Sequence, residues 1–399
     1  MDLSAKKYSF KMEVYREMLD NILPFWEMIM KDPRGGYYGR IDGNGEVDFE
    51  APKGAILNSR IMWTFSAVFG MTAADWRYDS AERAKKYIEK YLLDKEYGGI
   101  FWSVNPDGTP LDTKKQFYAL GFALYAFSEF GIDTGDQEAK ETALEFFELI
   151  EKYSKDNEFG GYLEAATQDW KPIEDMRLSE KDDNSAKSMN THLHILEPYT
   201  NLLRIFPENK KIRKAVEDLI DIFFDKIEDP STHHLGLFFD KDWKRRDKNI
   251  SYGHDIEASW LLLEAAQVLG DEKILKKTLE HTRNIALAGL EGRCADGSMV
   301  YERFGNGHYD NDKHWWVQAE NVIGQLFLWK FHDMPQMLDK AIESWNYIRD
   351  NIVDRQKGEW FWSRKGKEIN RDDDKAGFWK CPYHNTRMCL QVIQLMEMS

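Results

Sequence analysis

The chain alternates two kinds of helical pattern. In one, apolar residues recur on a single face, as Ala143, Phe146, Phe147, Ile150 and Tyr153 do, and as Ile212, Ala215, Val216, Leu219, Phe223 and Ile227 do. One apolar stripe opposite a charged face predicts a helix lying on the outside of a larger core. In the other kind the residues are apolar almost all round, as in FYALGFALYAFSEFG from Phe117 and IEASWLLLEAAQVLG from Ile256. A helix with no polar face must be covered on several sides.

Short Gly-aromatic segments interrupt these patterns: GGYYG at Gly35, GGIFW at Gly98, GGYLE at Gly160, LGLFF at Gly236, DGSMVY at Gly297 and KGEWFW at Gly358. Glycine beside β-prone aromatics suits a tight turn or short hairpin between helices. The intervals are 63, 62, 76, 61 and 61 residues, so the chain reads as six units of similar length, each with an inner and an outer helix. An open stack of such pairs leaves apolar faces bare at both ends, whereas a ring covers all of them. The predicted fold is therefore all-α, an (α/α)6 barrel of twelve helices with short hairpins in the connecting turns, forming one domain over residues 1–399. An open helical solenoid is the alternative, but its repeats run about 34 to 47 residues, shorter than these.

Composition narrows the function. With 54 Lys+Arg against 69 Asp+Glu the formal charge is −15, which argues against an extended nucleic-acid or anionic membrane surface. Cys294, Cys381 and Cys389 form no even-numbered framework and no Cys-x-x-Cys pair, so reduced thiols are expected. The first residues lack the apolar core of a signal peptide and no stretch reads as a membrane span, so the expected compartment is the cytoplasm. Glycine-rich phosphate loops and the Gly-x-Ser-x-Gly elbow are missing too, which turns attention from nucleotide and serine-hydrolase chemistry.

Each inner helix starts shortly after its turn, so all six start at one end of the ring, and their first turns are unusually polar. They carry Asn58, Ser59 and Arg60; Gln116 and Tyr118; Asn190, Thr191, His192 and His194; His254, Asp255 and Glu257; Trp315, Trp316, Gln318 and Glu320; and His384, Asn385 and Arg387. Convergence of such groups on one mouth predicts a pocket with chemistry in it. Asn190 and His194 are four apart and share a face, His254 and Glu257 are three apart, and Trp316 and Glu320 four apart, so each pair can present together. His192 points elsewhere and reads equally as a satisfied core histidine. His233, His234, His281, His308, His314 and His332 are placed in turns or on outer helices, away from direct catalysis. Trp316 and Trp379 offer flat apolar faces on which sugar C–H groups can lie, which makes a carbohydrate the expected ligand. No His-x-x-x-His or His-Glu-x-x-His spacing occurs, so no metal is expected.

NSRIMW from Asn58, SMNTHLHILE from Ser188, SYGHDIEASW from Ser251, WWVQAE from Trp315 and WKCPYHNTRM from Trp379 together resemble the cellobiose 2-epimerase branch of the N-acylglucosamine 2-epimerase superfamily, over nearly the whole chain. The resemblance implies the same (α/α)6 barrel. It also implies His254 and His384 as paired general acid/base residues and His194 as an aid to ring opening or hydroxyl binding. Arg60, Tyr118, Asp182, Asn190, Glu257, Trp316, Glu320 and Trp379 would line the sugar site, with Asp183 an adjacent alternative to Asp182.

The implied reaction is C2 epimerisation of the reducing-end sugar of a neutral β-1,4-linked disaccharide. It proceeds by ring opening, removal of the C2 proton and reprotonation of a cis-enediol on the opposite face. Two histidines that titrate near neutrality suit this exchange, and a helix N-terminus helps keep an imidazole neutral. Arg60 can hold charge developing on the enediolate oxygen. No redox cofactor is needed, because the proton leaves and returns without net oxidation. The competing readings are an N-acylglucosamine 2-epimerase, an aldose-ketose isomerase using the same enediol, an inverting glycoside hydrolase drawing on Asp255, Glu257 and Glu320, and a non-catalytic sugar-binding scaffold.

Overall fold

The computed structural model describes residues 2–398. Among these, six helices form an inner ring: α2 (Ala55–Thr72), α4 (Phe117–Thr134), α6 (Met189–Ile205), α8 (Tyr252–Leu269), α10 (Trp315–Phe331) and α12 (Tyr383–Glu397). Each packs against the next, and α12 returns to pack on α2, which closes the circle. Six more alternate with them on the outside: α1 (Leu3–Glu17), α3 (Asp75–Tyr87), α5 (Gln137–Tyr153), α7 (Lys210–Ile222), α9 (Glu272–Gly289) and α11 (Met337–Asn351). The fold is an (α/α)6 barrel.

The two patterns in the sequence sort onto the two rings. Every residue of α4 from Phe117 to Ser128 is buried, whereas α5 buries mainly the stripe Ala139, Ala143, Phe146, Phe147 and Ile150 and exposes the rest. At roughly 25 cal/mol per Å² of apolar surface, the inner helices are the main source of stability, and the outer ones seal them from water.

Four of the six turns are built alike. After an outer helix the chain makes a tight turn in which an aspartate caps the backbone, and a lysine just before the inner helix of the same unit reaches back to it. Lys53 meets Asp32 at 2.7 Å, Lys115 meets Asp94 at 2.6 Å, Lys187 meets Asp156 at 2.8 Å and Lys375 meets Asp354 at 2.5 Å, all buried. The fifth unit keeps the lysine but replaces the acid, with Lys313 Nζ 3.3 Å from Cys294 Sγ. Close packing requires glycine at Gly161, which sits at φ +77° where a Cβ would come within 2.4 Å of Trp243.

Short antiparallel pairings then tie each unit to the next around the mouth. Lys53–Gly54 pairs with Ser103–Val104, Lys115–Gln116 with Ala165–Ala166, Lys187–Ser188 with Phe238–Phe239, and Ile250–Ser251 with Glu302–Arg303. Lys313 exchanges backbone hydrogen bonds with Arg364, and Ile41 bridges Ala376, so the last unit is stitched to the first. These pairings fix the rim from which the inner helices begin. The longest unit owes its extra length to an irregular loop, 167–186, held against the rim by Gln116 Nε2, which donates to the carbonyls of Met176 and Arg177 at 3.2 and 2.8 Å. Two histidines depart from their expected places: His314 is the N-cap of inner helix α10 and His332 the residue that ends it.

Candidate active site

The starts of the inner helices place the polar residues of the sequence at one mouth. Arg60 of α2 is buried and makes no ion pair among the described residues. Its Nη2 donates to Tyr118 Oη on α4 at 2.9 Å, Nη1 lies 3.7 Å from Cys381 Sγ, and Nε has no partner. The rings of Phe122 and Tyr383 flank the guanidinium at 4.1 and 4.8 Å. A buried cation without a carboxylate is costly unless an anion arrives during turnover.

Three histidines lie at the same mouth, and each meets the protein through Nδ1. His194 lies 3.1 Å from Glu197 Oε2, His254 lies 2.7 Å from Ser251 Oγ, and His384 lies 2.7 Å from Glu320 Oε1. That pattern leaves Nε2 for a substrate. His192 behaves differently. Its Nδ1 donates to the Ser188 carbonyl at 2.7 Å and its Nε2 accepts from Tyr162 N–H at 2.9 Å, so both ring nitrogens are spent on structure. Trp316 lies beside two of these rings, 4.8 Å from His254 and 5.6 Å from His384 between centroids.

Burial, more than the helix N-terminus, keeps His254 and His384 neutral. It lowers His254 to about 3, with His194 adding a smaller repulsion. His384 is held well below its ordinary value by burial first, then by the charges of Arg387 and Arg60, despite the carboxylate at its Nδ1. Neither histidine therefore titrates near neutrality as the sequence led us to expect.

Behind the histidines lie three carboxylates around one guanidinium. Arg387 Nη2 lies 2.5 Å from Glu257 Oε1 and 2.7 Å from Glu320 Oε1, while Nη1 contacts Glu197 Oε1 and Tyr383 Oη. Burial would raise Glu197, but Arg387, His194 and Tyr383 bring it down to about 2. Burial, with the neighbouring Glu320, pushes Glu257 up to about 7, and its Oε2 is buried without a partner. Glu257, Glu320 and His384 converge closely enough to suggest a metal, but the Nη2 group of Arg387 bridges the two carboxylates and supplies the positive charge. Asp255 faces the other way, accepting from His234 at 2.7 Å and from Leu235 N–H at 2.9 Å.

The rim is aromatic. Trp379 stands 6.0 Å from Trp102 and 6.1 Å from Tyr118, and Tyr301 stacks on His314 at 4.0 Å and meets the edge of Trp316 at 6.2 Å. On the 167–186 loop Asp182 is half-buried, accepting from the Ser179 backbone and hydroxyl at 2.9 Å each, whereas Asp183 turns to Arg246 at 3.0 Å. Asn190 Oδ1 is buried without a partner.

The N-acylglucosamine 2-epimerase (GlcNAc 2-epimerase) family profile matches residues 36–387. The chain belongs to this family. It is 49% identical over 386 residues to the cellobiose 2-epimerase of Bacteroides fragilis, a match covering 96% of this chain and 98% of that one. Identity to the cellobiose 2-epimerase of Dictyoglomus turgidum is 39%, over 99% of this chain and 100% of the other. The solved structure of cellobiose 2-epimerase from Spirochaeta thermophila superposes with a TM-score of 0.92 at 38% identity, covering 98% of this chain and 97% of that one. This chain is accordingly a sugar 2-epimerase of that family, an enzyme of the isomerase class.

Within this family member, the structure brings His194, His254, His384, Arg60, Tyr118, Trp316 and Trp379 into one chain of ring and hydrogen-bond contacts, joined through Tyr383, which meets both Arg60 and His384, with Glu257 and Glu320 behind them. Asn190 and Asp182 stand beside it with no side-chain bond into that chain. Sequence reasoning missed Glu197 and left Arg387 without a role. Each lies three residues after a pocket histidine, so the helical spacing that paired His254 with Glu257 also marks them.

Proposed function

We propose that the pocket epimerises C2 of the reducing-end sugar of a neutral β-1,4-linked disaccharide of the cellobiose type. The observation that carries the reading is the set of three imidazoles bonded through Nδ1, with Nε2 left for substrate, at the same mouth as a buried guanidinium that has no ion-pair partner among the described residues. Relatives bearing the name cellobiose 2-epimerase support the substrate class.

Ring opening transfers the hemiacetal O1 proton to a base and delivers a proton to the ring oxygen. His194 is placed to assist, beside Tyr118 at 5.1 Å between ring centroids. The aldehyde then acidifies the C2 proton, which passes to Nε2 of one of the pair His254 and His384, while the other, carrying on its Nε2 a proton taken from water, reprotonates the opposite face, and the first returns its proton to water. Arg60 holds the negative charge of the cis-enediolate oxygen in a site where water does not compensate it. The carboxylate of Glu320 stabilises the imidazolium that forms on His384. Asn190 Oδ1 and Glu257 Oε2 accept hydrogen bonds from sugar hydroxyls, and Trp316 and Trp379 bear on the sugar faces, with Asp182 at the rim.

The acids of the hydrolase alternative are engaged elsewhere: Asp255 with His234, and Glu257 and Glu320 with Arg387. The three free cysteines support a reducing, cytoplasmic setting. Proton NMR of cellobiose with the enzyme in D2O tests the function. Deuterium at C2 with a glucosylmannose product is expected; a ketose, two free glucoses, or no reaction each overturns it.

A further inference from the structure

Arg387 makes contacts that no single salt bridge requires. From α12 its guanidinium reaches Glu197 on α6, Glu257 on α8 and Glu320 on α10, so one side chain joins four of the six inner helices. Its faces are covered by Tyr383 at 4.3 Å and Trp260 at 4.7 Å, so the group is fully desolvated. Three buried carboxylates on one cation is an unfavourable charge balance, and replacing such clusters with apolar residues is often neutral for stability. The arrangement therefore calls for a reason other than stability.

The geometry beyond the guanidinium supplies one. Glu197 gives Oε1 to Arg387 and Tyr383 and keeps Oε2 for His194 Nδ1. Glu320 shares Oε1 between Arg387 and His384 Nδ1, and its Oε2 accepts from Trp260 Nε1 at 2.9 Å. Both acceptors are thus pinned at both oxygens. A lysine here would provide one point charge and could not span the three acids as the planar fork does.

We propose that Arg387 is a positioning residue that acts on two histidines at once: by clamping Glu197 and Glu320, it fixes His194 and His384 with Nδ1–H facing the protein and Nε2 facing the sugar. The inference rests on the two-histidine reading for its kinetic consequence and on geometry alone for its structural one. His254, bonded to Ser251, lies outside the clamp.

Two measurements test it. In 15N-histidine-labelled enzyme without sugar, His194 and His384 are expected in the Nδ1–H form, and Arg387→Lys should move both toward the Nε2–H form while leaving His254 unchanged. In turnover, the same variant should lose roughly 10–100-fold in kcat, with KM within about threefold. Its acid limb of kcat should move up by about one pH unit or more, since weakening the cation raises both carboxylates and His384 together. A purely structural role would lower activity evenly at all pH values. If Arg387→Lys fails to fold, Glu197→Gln should alter only the His194 signals and Glu320→Gln only those of His384. A folded Arg387→Lys enzyme with both imidazoles and the acid limb unchanged overturns the proposal, as do glutamine variants that leave their own histidine undisturbed. Expected tautomers in an enzyme that does not exchange C2 hydrogen would instead overturn the functional reading and leave the clamp standing.

Discussion

Nδ1 of His384 lies 2.7 Å from Oε1 of Glu320, so one imidazole of the proposed pair rests on a carboxylate. Its counterpart His254 rests on the neutral hydroxyl of Ser251 at the same distance. Hydrogen bonds to an ionised partner are roughly twice as strong as neutral ones. The two histidines therefore differ in how well the protein supports their protonated form.

That asymmetry predicts unequal costs. Glu320→Gln should lower kcat by roughly 10–100-fold, as loss of an orienting carboxylate typically does, whereas Ser251→Ala should cost less. Steady-state kinetics on folded variants checks this. A larger loss in Ser251→Ala than in Glu320→Gln would reverse the assignment.

Glu164 predicts a pH effect on stability. Burial pushes its carboxyl up to about 8, although Thr191 and Ser188 hydrogen bond to it. The folded state then holds a proton that the unfolded state has released above its ordinary carboxylate pKa. The contribution is most favourable at low pH and is lost as pH rises through about 8. A protonated carboxyl is close in shape and hydrogen bonding to an amide, so Glu164→Gln should match the parent near pH 5 and exceed it at pH 8. The difference should grow by at most about 1.4 kcal/mol per pH unit, read from urea midpoints.

Gly121 sets the spacing between two inner helices. A Cβ there would come within 2.4 Å of the His194 carbonyl oxygen, which is backbone and cannot rotate away. Gly121→Ala should cost on the order of 1–3 kcal/mol in stability by overpacking, and should reduce kcat by shifting His194. Thermal melting and turnover should fall together.

Trp379 acts through binding. It is half-buried at the rim beside Trp102 and Tyr118. An aromatic contact of about 0.5–1.5 kcal/mol corresponds to a rise in KM of roughly 2- to 13-fold in Trp379→Ala. The kcat should change much less, because the contact is made equally in ground and transition states.

The fold was legible because burial imposes a pattern. α4 is apolar all round and α5 only along a stripe, and the regular spacing of turns counts the units without reference to any contact. The site was legible in part, because inner-helix starts share one end. The link between Arg387 and Glu197 was not, since it joins residues 190 positions apart. Nor was the difference between Asp182 and Asp183, which depends on how an irregular loop turns one back onto Ser179 and the other toward Arg246. The neutral state of His254 was anticipated, but from the helix terminus, whereas depth of burial is the main cause.

The central claim is that His254 and His384 exchange the C2 proton from opposite faces. It is tested most directly by following C2 deuterium incorporation in His254→Ala and His384→Ala, each offered the glucose-type and the mannose-type epimer separately in D2O. The account predicts that both variants fold, that neither epimerises, and that each exchanges C2 hydrogen in only one epimer, the two variants choosing opposite epimers. Epimerisation at a near-parental rate by either folded variant would contradict it.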